Sequence, residues 1–147
     1  MIKTFRGILE DGAQQRIRLS TKKGKIGYRI IKFQIISSQP GILTHESVVK
    51  VFKVKQATVT GTIDFSDNNV LAASYQSDQD NPQYTGYLGP IIFDREIFNQ
   101  DIYITNNDAD SSTKMNYYIE LEAMTLSDNA ASVSTLRDIR LNPQVGG

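Results

Sequence analysis

The stretch Ile91–Thr105, "IIFDREIFNQDIYIT", decides how this chain is read. Apolar runs at Ile91–Phe93 and Ile102–Ile104 flank a polar segment that holds Asp94, Glu96 and Asp101. Both runs are too short for helices and are rich in β-branched and aromatic residues, the composition of buried strands. The segment between them has two readings. Glycosidases set two carboxylates roughly 5–9 Å apart across a cleft, and a turn could bring Glu96 near Asp101. The alternative is a corner between strands. In it Asp94 closes an Asx-turn, Ile97 and Phe98 plug the core, Ile102 and Ile104 face inward, and the three acids lie on the surface. No tryptophan is present to stack on a sugar, and the corner is the simpler reading. No catalytic residue is assigned.

Working outward, the same short-strand rhythm recurs. Lys3–Leu9 is expected as a strand, Asp11-Gly12 as a hairpin turn and Gln14–Ser20 as the return. Gly27–Ile36 carries apolar residues on both faces, which predicts a central strand or a flank covered by a neighbouring chain. Ser47–Val54 is another strand. Ala57–Phe65 alternates Ala57, Val59, Ile63 and Phe65 against Thr58, Thr60, Thr62 and Asp64, the pattern of a half-buried strand with its threonines in water. Val70–Tyr75 follows, then a long loop over Ser74–Pro90, a polar turn at Asn106–Thr113 and a strand from Met115 to about Leu126. A helical tail is expected over about 129–141. Ser127, Asp128 or Asn129 would cap it, and Val133, Leu136 and Ile139 would line one face. The expected fold is one domain, residues 1–147: an all-β antiparallel sandwich of jelly-roll type with a short C-terminal helix. A barrel is the alternative.

Composition narrows the chemistry. The 147 residues suit a single core. There is no cysteine and one histidine, His45. Disulfides, thiolate catalysis and cysteine-ligated metals are therefore excluded, and so is a His-rich zinc site within one chain. No apolar run approaches the ~20 residues of a membrane span. The N-terminal segment lacks the pattern of a signal peptide, so synthesis in a cytoplasm is expected. The net charge is zero but unevenly spread: residues 1–60 hold 12 bases against 3 acids, a net of +9, and residues 61–147 hold 4 against 13, a net of −9. Either strands from the two halves interleave and the charges cancel in space, or opposite faces steer subunits together.

The remaining candidates are weaker. "NNDADSS" places oxygen side chains at alternate positions, but it lacks the glycine and the final glutamate of a calcium loop, so a solvated turn is expected and no metal is assigned. His45 and Ser47 in "THES" lack a nucleophile-elbow context, and His45 is read as a surface residue at a strand start. Arg16, Arg18, Tyr28, Arg29, Lys32 and Phe33 interleave cations with aromatics, as single-strand binders do. Phe33, however, alternates with Ile31 and Ile35 as a core residue does, so nucleic-acid binding is not expected. The long loop with Tyr75, Tyr84 and Tyr87 has the composition of an adaptable recognition surface and is the candidate contact for a partner or a glycan.

The blocks "KTFRGIL", "GYRIIKFQI", "HESVVKVFK", "IIFDREIFNQDIYIT", "NYYIELE" and "STLRDIR", running from Lys3 to Arg140, resemble a family of small virion-associated proteins encoded by marine bacteriophages. The resemblance implies a phage origin and a structural place in the particle, and it carries no catalytic residue and no cofactor. The function expected is that of an accessory capsid (decoration or cement-like), vertex or tail component. Such a protein is made in the host cytoplasm, resides in the virion and works as a homo-oligomer bound to other virion proteins such as the major capsid protein. A glycan- or receptor-binding module using Tyr75, Tyr84 and Tyr87 is the alternative, and an enzyme is not expected.

Overall fold

The computed structural model describes residues 1–40, 44–78, 87–110 and 112–141. Among these residues eight strands and a helix follow one another: β1 (Ile2–Leu9), β2 (Gln14–Ile17), β3 (Ile26–Ser37), β4 (His45–Phe52), β5 (Val70–Asp78), β6 (Tyr87–Phe93), β7 (Ile102–Asp108), β8 (Met115–Thr125) and α1 (Asp128–Leu141). One sheet has the order β1-β8-β3, the other β2-β7-β4-β5-β6. All pairings are antiparallel. The expected all-β sandwich is observed. Its core joins Ile30, Phe33, Ile119 and Leu121 of the first sheet to Val49, Val51, Ile102 and Ile104 of the second. Burying each such side chain contributes about 1.5–3 kcal/mol.

The strand order is close to that of a jelly roll, with one strand displaced. In that fold a long antiparallel ribbon pairs strand 1 with 8, 2 with 7, 3 with 6 and 4 with 5, then wraps over itself into two sheets. Here β1-β8, β2-β7 and β4-β5 keep those pairs, while β6 stays hydrogen-bonded to β5 instead of β3. Pro90 lies within β6 and has no N–H to give a ladder, which suits an edge strand.

Several sequence expectations are corrected by this topology. Gly12 does take a left-handed turn at φ 77°, but Asp11-Gly12 is not a hairpin. β1 pairs with β8 and β2 with β7, so the turn is a corner between sheets. β3 is not central: it ends its sheet, bonded along β8 and, at the isolated bridge Tyr28–Phe98, to the corner that follows β6. A register shift between Ile30 and Lys32 explains the apolar residues on both its faces.

Ala57–Phe65 forms no strand. Both edges of β4 are already taken by β5 and β7, so the chain leaving β4 cannot fold back to pair with it. Instead, residues 53–69 lie across the outer face of the second sheet. Gln14 Nε2 donates to the Gln56 carbonyl (3.0 Å) and Gln56 N to Gln14 Oε1 (2.8 Å). Lys50 Nζ donates to the Thr62 carbonyl at 2.6 Å. Any side chain at position 61 would meet Asn107 Oδ1 at 2.9 Å, so Gly61 permits the close approach. This covering segment accounts for the burial of Val48, Lys50, Phe52, Tyr103 and Thr105, none of which faces the sandwich interior.

The helix forms where expected, with Ser127 Oγ accepting from Ala130 N at 3.1 Å, but it is turned over. Ala131 and Ser134 are buried, while Val133 is 66% and Leu136 58% exposed. The side chain of Ile139, the third member of the expected stripe, lies outside the described residues. The reason is polar anchoring. Asn99 Nδ2, buried in the corner after β6, lies within hydrogen-bond distance of Thr135 Oγ1 (2.6 Å), the Gly24 carbonyl (3.0 Å) and the Ala131 carbonyl (3.3 Å), its two N–H groups shared among the three acceptors. These bonds to a buried amide outweigh the few apolar contacts of two side chains.

Candidate functional site

The corner after β6 is where the polar side chains converge, and each of its three acids has a structural duty. Asp94 Oδ1 accepts from Glu96 N at 2.7 Å, the expected Asx-turn. Asp101, just before β7, is buried rather than on the surface as expected. Its oxygens accept from Leu19 N (2.7 Å), Ser20 N (2.8 Å) and Arg16 Nε (2.6 Å). Burial alone would push its carboxyl up, but the two backbone donors and the Arg16 guanidinium outweigh burial and hold it below the usual carboxylate range. Phe98 plugs the core as expected, and Ile97 does not, being 36% exposed.

Glu96 belongs to a different arrangement. Lys53 Nζ, on a side chain 4% exposed, stands 2.9 Å from both Glu96 oxygens, and Arg137 Nε of α1 stands 3.3 Å from Oε1. A buried ammonium needs such a partner. This triad borders a solvent-open cleft of about 370 Å³, closed on other sides by Phe65, Asp67, Asn68, Val70 and Asp94. The lobe opposite the triad is held by consecutive turns. Ser66 N and Oγ both donate to Asp64 Oδ1 (2.9 and 2.6 Å), Asp67 N to the Asp64 carbonyl (3.2 Å), Asn69 N to Asp67 Oδ1 (2.9 Å) and Val70 N to the Asp67 carbonyl (3.2 Å). The Ser66 hydroxyl, and then its N–H, lower the Asp64 pKa. Phe65 rides on this lobe 57% exposed, although its place in an alternating pattern predicted an inward residue.

The other candidates fall out as follows. Tyr75 is half-buried within β5, and Tyr87 opens β6 opposite Ser77, so both stand on strands rather than in a loop; Tyr84 lies outside the described residues. His45 is fully buried at the start of β4, with Nδ1 3.1 Å from Ser47 Oγ, and is not the surface residue expected. The Asp108 carboxylate accepts from Glu46, Asp110 and Thr113 N, each at 3.0 Å, so it orders a turn. Among the described residues no group of three or more His, Cys, Asp or Glu stands together as a metal site. Tyr28 and Phe33 are both core residues and offer no face to a nucleic-acid base. The charge halves meet in space: Arg16–Asp101, Arg29–Glu122 and Lys53–Glu96 each join a base of the first half to an acid of the second.

Sequence reasoning missed the cleft because Lys53 and Glu96 are 43 positions apart and neither sits in a motif. Comparison with protein-family models and with curated protein sequences returns no match.

Proposed function

We propose that the protein is a structural component of a bacteriophage virion: an accessory capsid protein (decoration or cement-like), a vertex protein or a tail protein. It works by symmetric association with copies of itself and with other virion proteins such as the major capsid protein. The observation that carries this reading is the overturned helix. α1 spends its small and polar side chains on the sandwich and offers Val133 and Leu136 to the outside. A paired apolar ridge on a firmly anchored helix suits repeated docking on an identical neighbour, where the same patch serves both subunits. The jelly-roll order adds support by analogy of fold alone, since viral capsid domains and lectins both use it.

Light scattering on the purified protein tests the association. A discrete oligomer at micromolar concentration is expected, and the Val133→Asp/Leu136→Asp double variant should be monomeric with an unchanged circular dichroism spectrum. A wild-type chain that stays monomeric into the millimolar range overturns the reading. Purified particles of the encoding phage should in addition carry the protein at a fixed copy number.

A further inference from the structure

We infer that the cleft between the Phe65 lobe and the Lys53–Glu96–Arg137 triad is a binding site for neutral saccharides. The inference does not rest on the assembly reading, because the cleft is built by other residues than the helix ridge. Four observations select the ligand class. The first is Phe65, a large aromatic ring held out to solvent at the cleft mouth by back-to-back turns. Exposing it sacrifices burial, and a flat apolar platform matches the C–H face of a pyranose ring. The second is the mixture of donors and acceptors. Asn68 supplies both, and Asp67 and Asp94 supply acceptors, as hydroxyls that donate and accept at once require.

The third observation is charge. Lys53 and Arg137 are both engaged on Glu96, and among the described residues three carboxylates against two cations leave the lining at −1. Phosphate, sulfate and sialic-acid ligands are thereby disfavoured. The fourth is the scarcity of apolar lining: among the described residues Phe65 and Val70 are its apolar members, too few to make a socket for a lipid or for the buried anchors of a peptide. The triad, one of whose members is nearly fully buried, fixes the cleft floor before any ligand arrives, so little ordering cost falls on binding.

The test is a titration of the ¹⁵N-labelled protein with neutral hexasaccharides of glucose, mannose, galactose and N-acetylglucosamine. At least one should bind with a Kd in the millimolar range or tighter, shifting the amide signals of Phe65–Asn69 and of Asp94–Glu96. Phe65→Ala should weaken that binding by about tenfold or more, with Phe65→Trp restoring it. A sulfated form of the same sugar should bind more weakly. Phe65 is exposed, so both variants keep the fold. The inference is overturned if no series moves these signals at about 20 mM sugar, if Phe65→Ala binds as wild type does, or if the shifts map elsewhere. None of these outcomes changes the oligomeric state, so this failure is distinguishable from failure of the assembly reading.

Discussion

The inner face of the five-stranded sheet has two unlike halves. Register sets Val51 beside Ala72 and Ile104, a row buried to 1% or less. One step along, Val49 stands between Ser74 and Asn106. The next row is Ser47, Gln76 and Asp108, and the last is His45 beside Asp78. Three neighbouring strands thus change from apolar to polar at the same level. In the polar half His45 Nε2, Ser74 Oγ, Gln76 Oε1 and Asn106 Oδ1 are buried and find no hydrogen-bond partner among the described residues. Each such atom costs about 1–3 kcal/mol of lost hydration. The apolar half therefore contributes the larger share of the sheet's stability, and the polar half, although Asp108 and Asn106 Nδ2 are hydrogen-bonded there, the smaller.

The largest effect should come from the apolar half. Ile104→Ala removes a fully buried side chain from the centre of the core, at an expected cost of about 3–4 kcal/mol measured by urea unfolding. A loss below about 1 kcal/mol would erase the contrast between the halves.

Asp101 sharpens the comparison because it is a buried polar group with its partners present. Asp101→Ala strands the N–H groups of Leu19 and Ser20 and the Arg16 guanidinium, and about 3 kcal/mol should be lost at pH 7. The folded carboxyl lies below its ordinary value, so the unfolded state takes up its proton first as pH falls. The contribution of Asp101 is whole above the unfolded value of about 4 and disappears as pH drops through the folded one. The gap between wild type and Asp101→Ala should accordingly close between neutral pH and the acid limit. A gap that stays constant would assign the loss to packing instead of charge.

What the chain revealed in advance follows from the range of each signal. Strand periodicity and turn residues are local, and they gave the all-β class, the core places of Phe98, Ile102 and Ile104, the Asp94 turn and the Ser127 cap. Ala57–Phe65 has an equally clear period, but no period says whether a sheet edge is free to receive it. A spacing of three puts Val133 and Leu136 on one helix face without telling which face will dock; that was decided by Asn99, some 30 positions earlier. The polar half was present as alternations in "HESVV", "ASYQSD" and "IYITNND". It became visible only when the register placed the three segments side by side.

The smallest effect is the most discriminating. Ser74→Ala deletes an oxygen that has no partner among the described residues, from a residue 1% exposed, and leaves the methyl-sized remainder in place. Such a hydroxyl has its lost hydration to contribute, so the variant should gain about 0.5–1 kcal/mol in urea unfolding. Alanine is also the residue one row away at position 72, and a small side chain at this level already packs well. The sign of the change matters more than its size. A loss of about 1 kcal/mol or more would mean that Oγ has a hydrogen-bonding partner in solution, such as an internal water shared with Gln76 or Asn106. The polar half would then be a hydrated chamber, and the low stability assigned to that end of the sheet would have to be withdrawn.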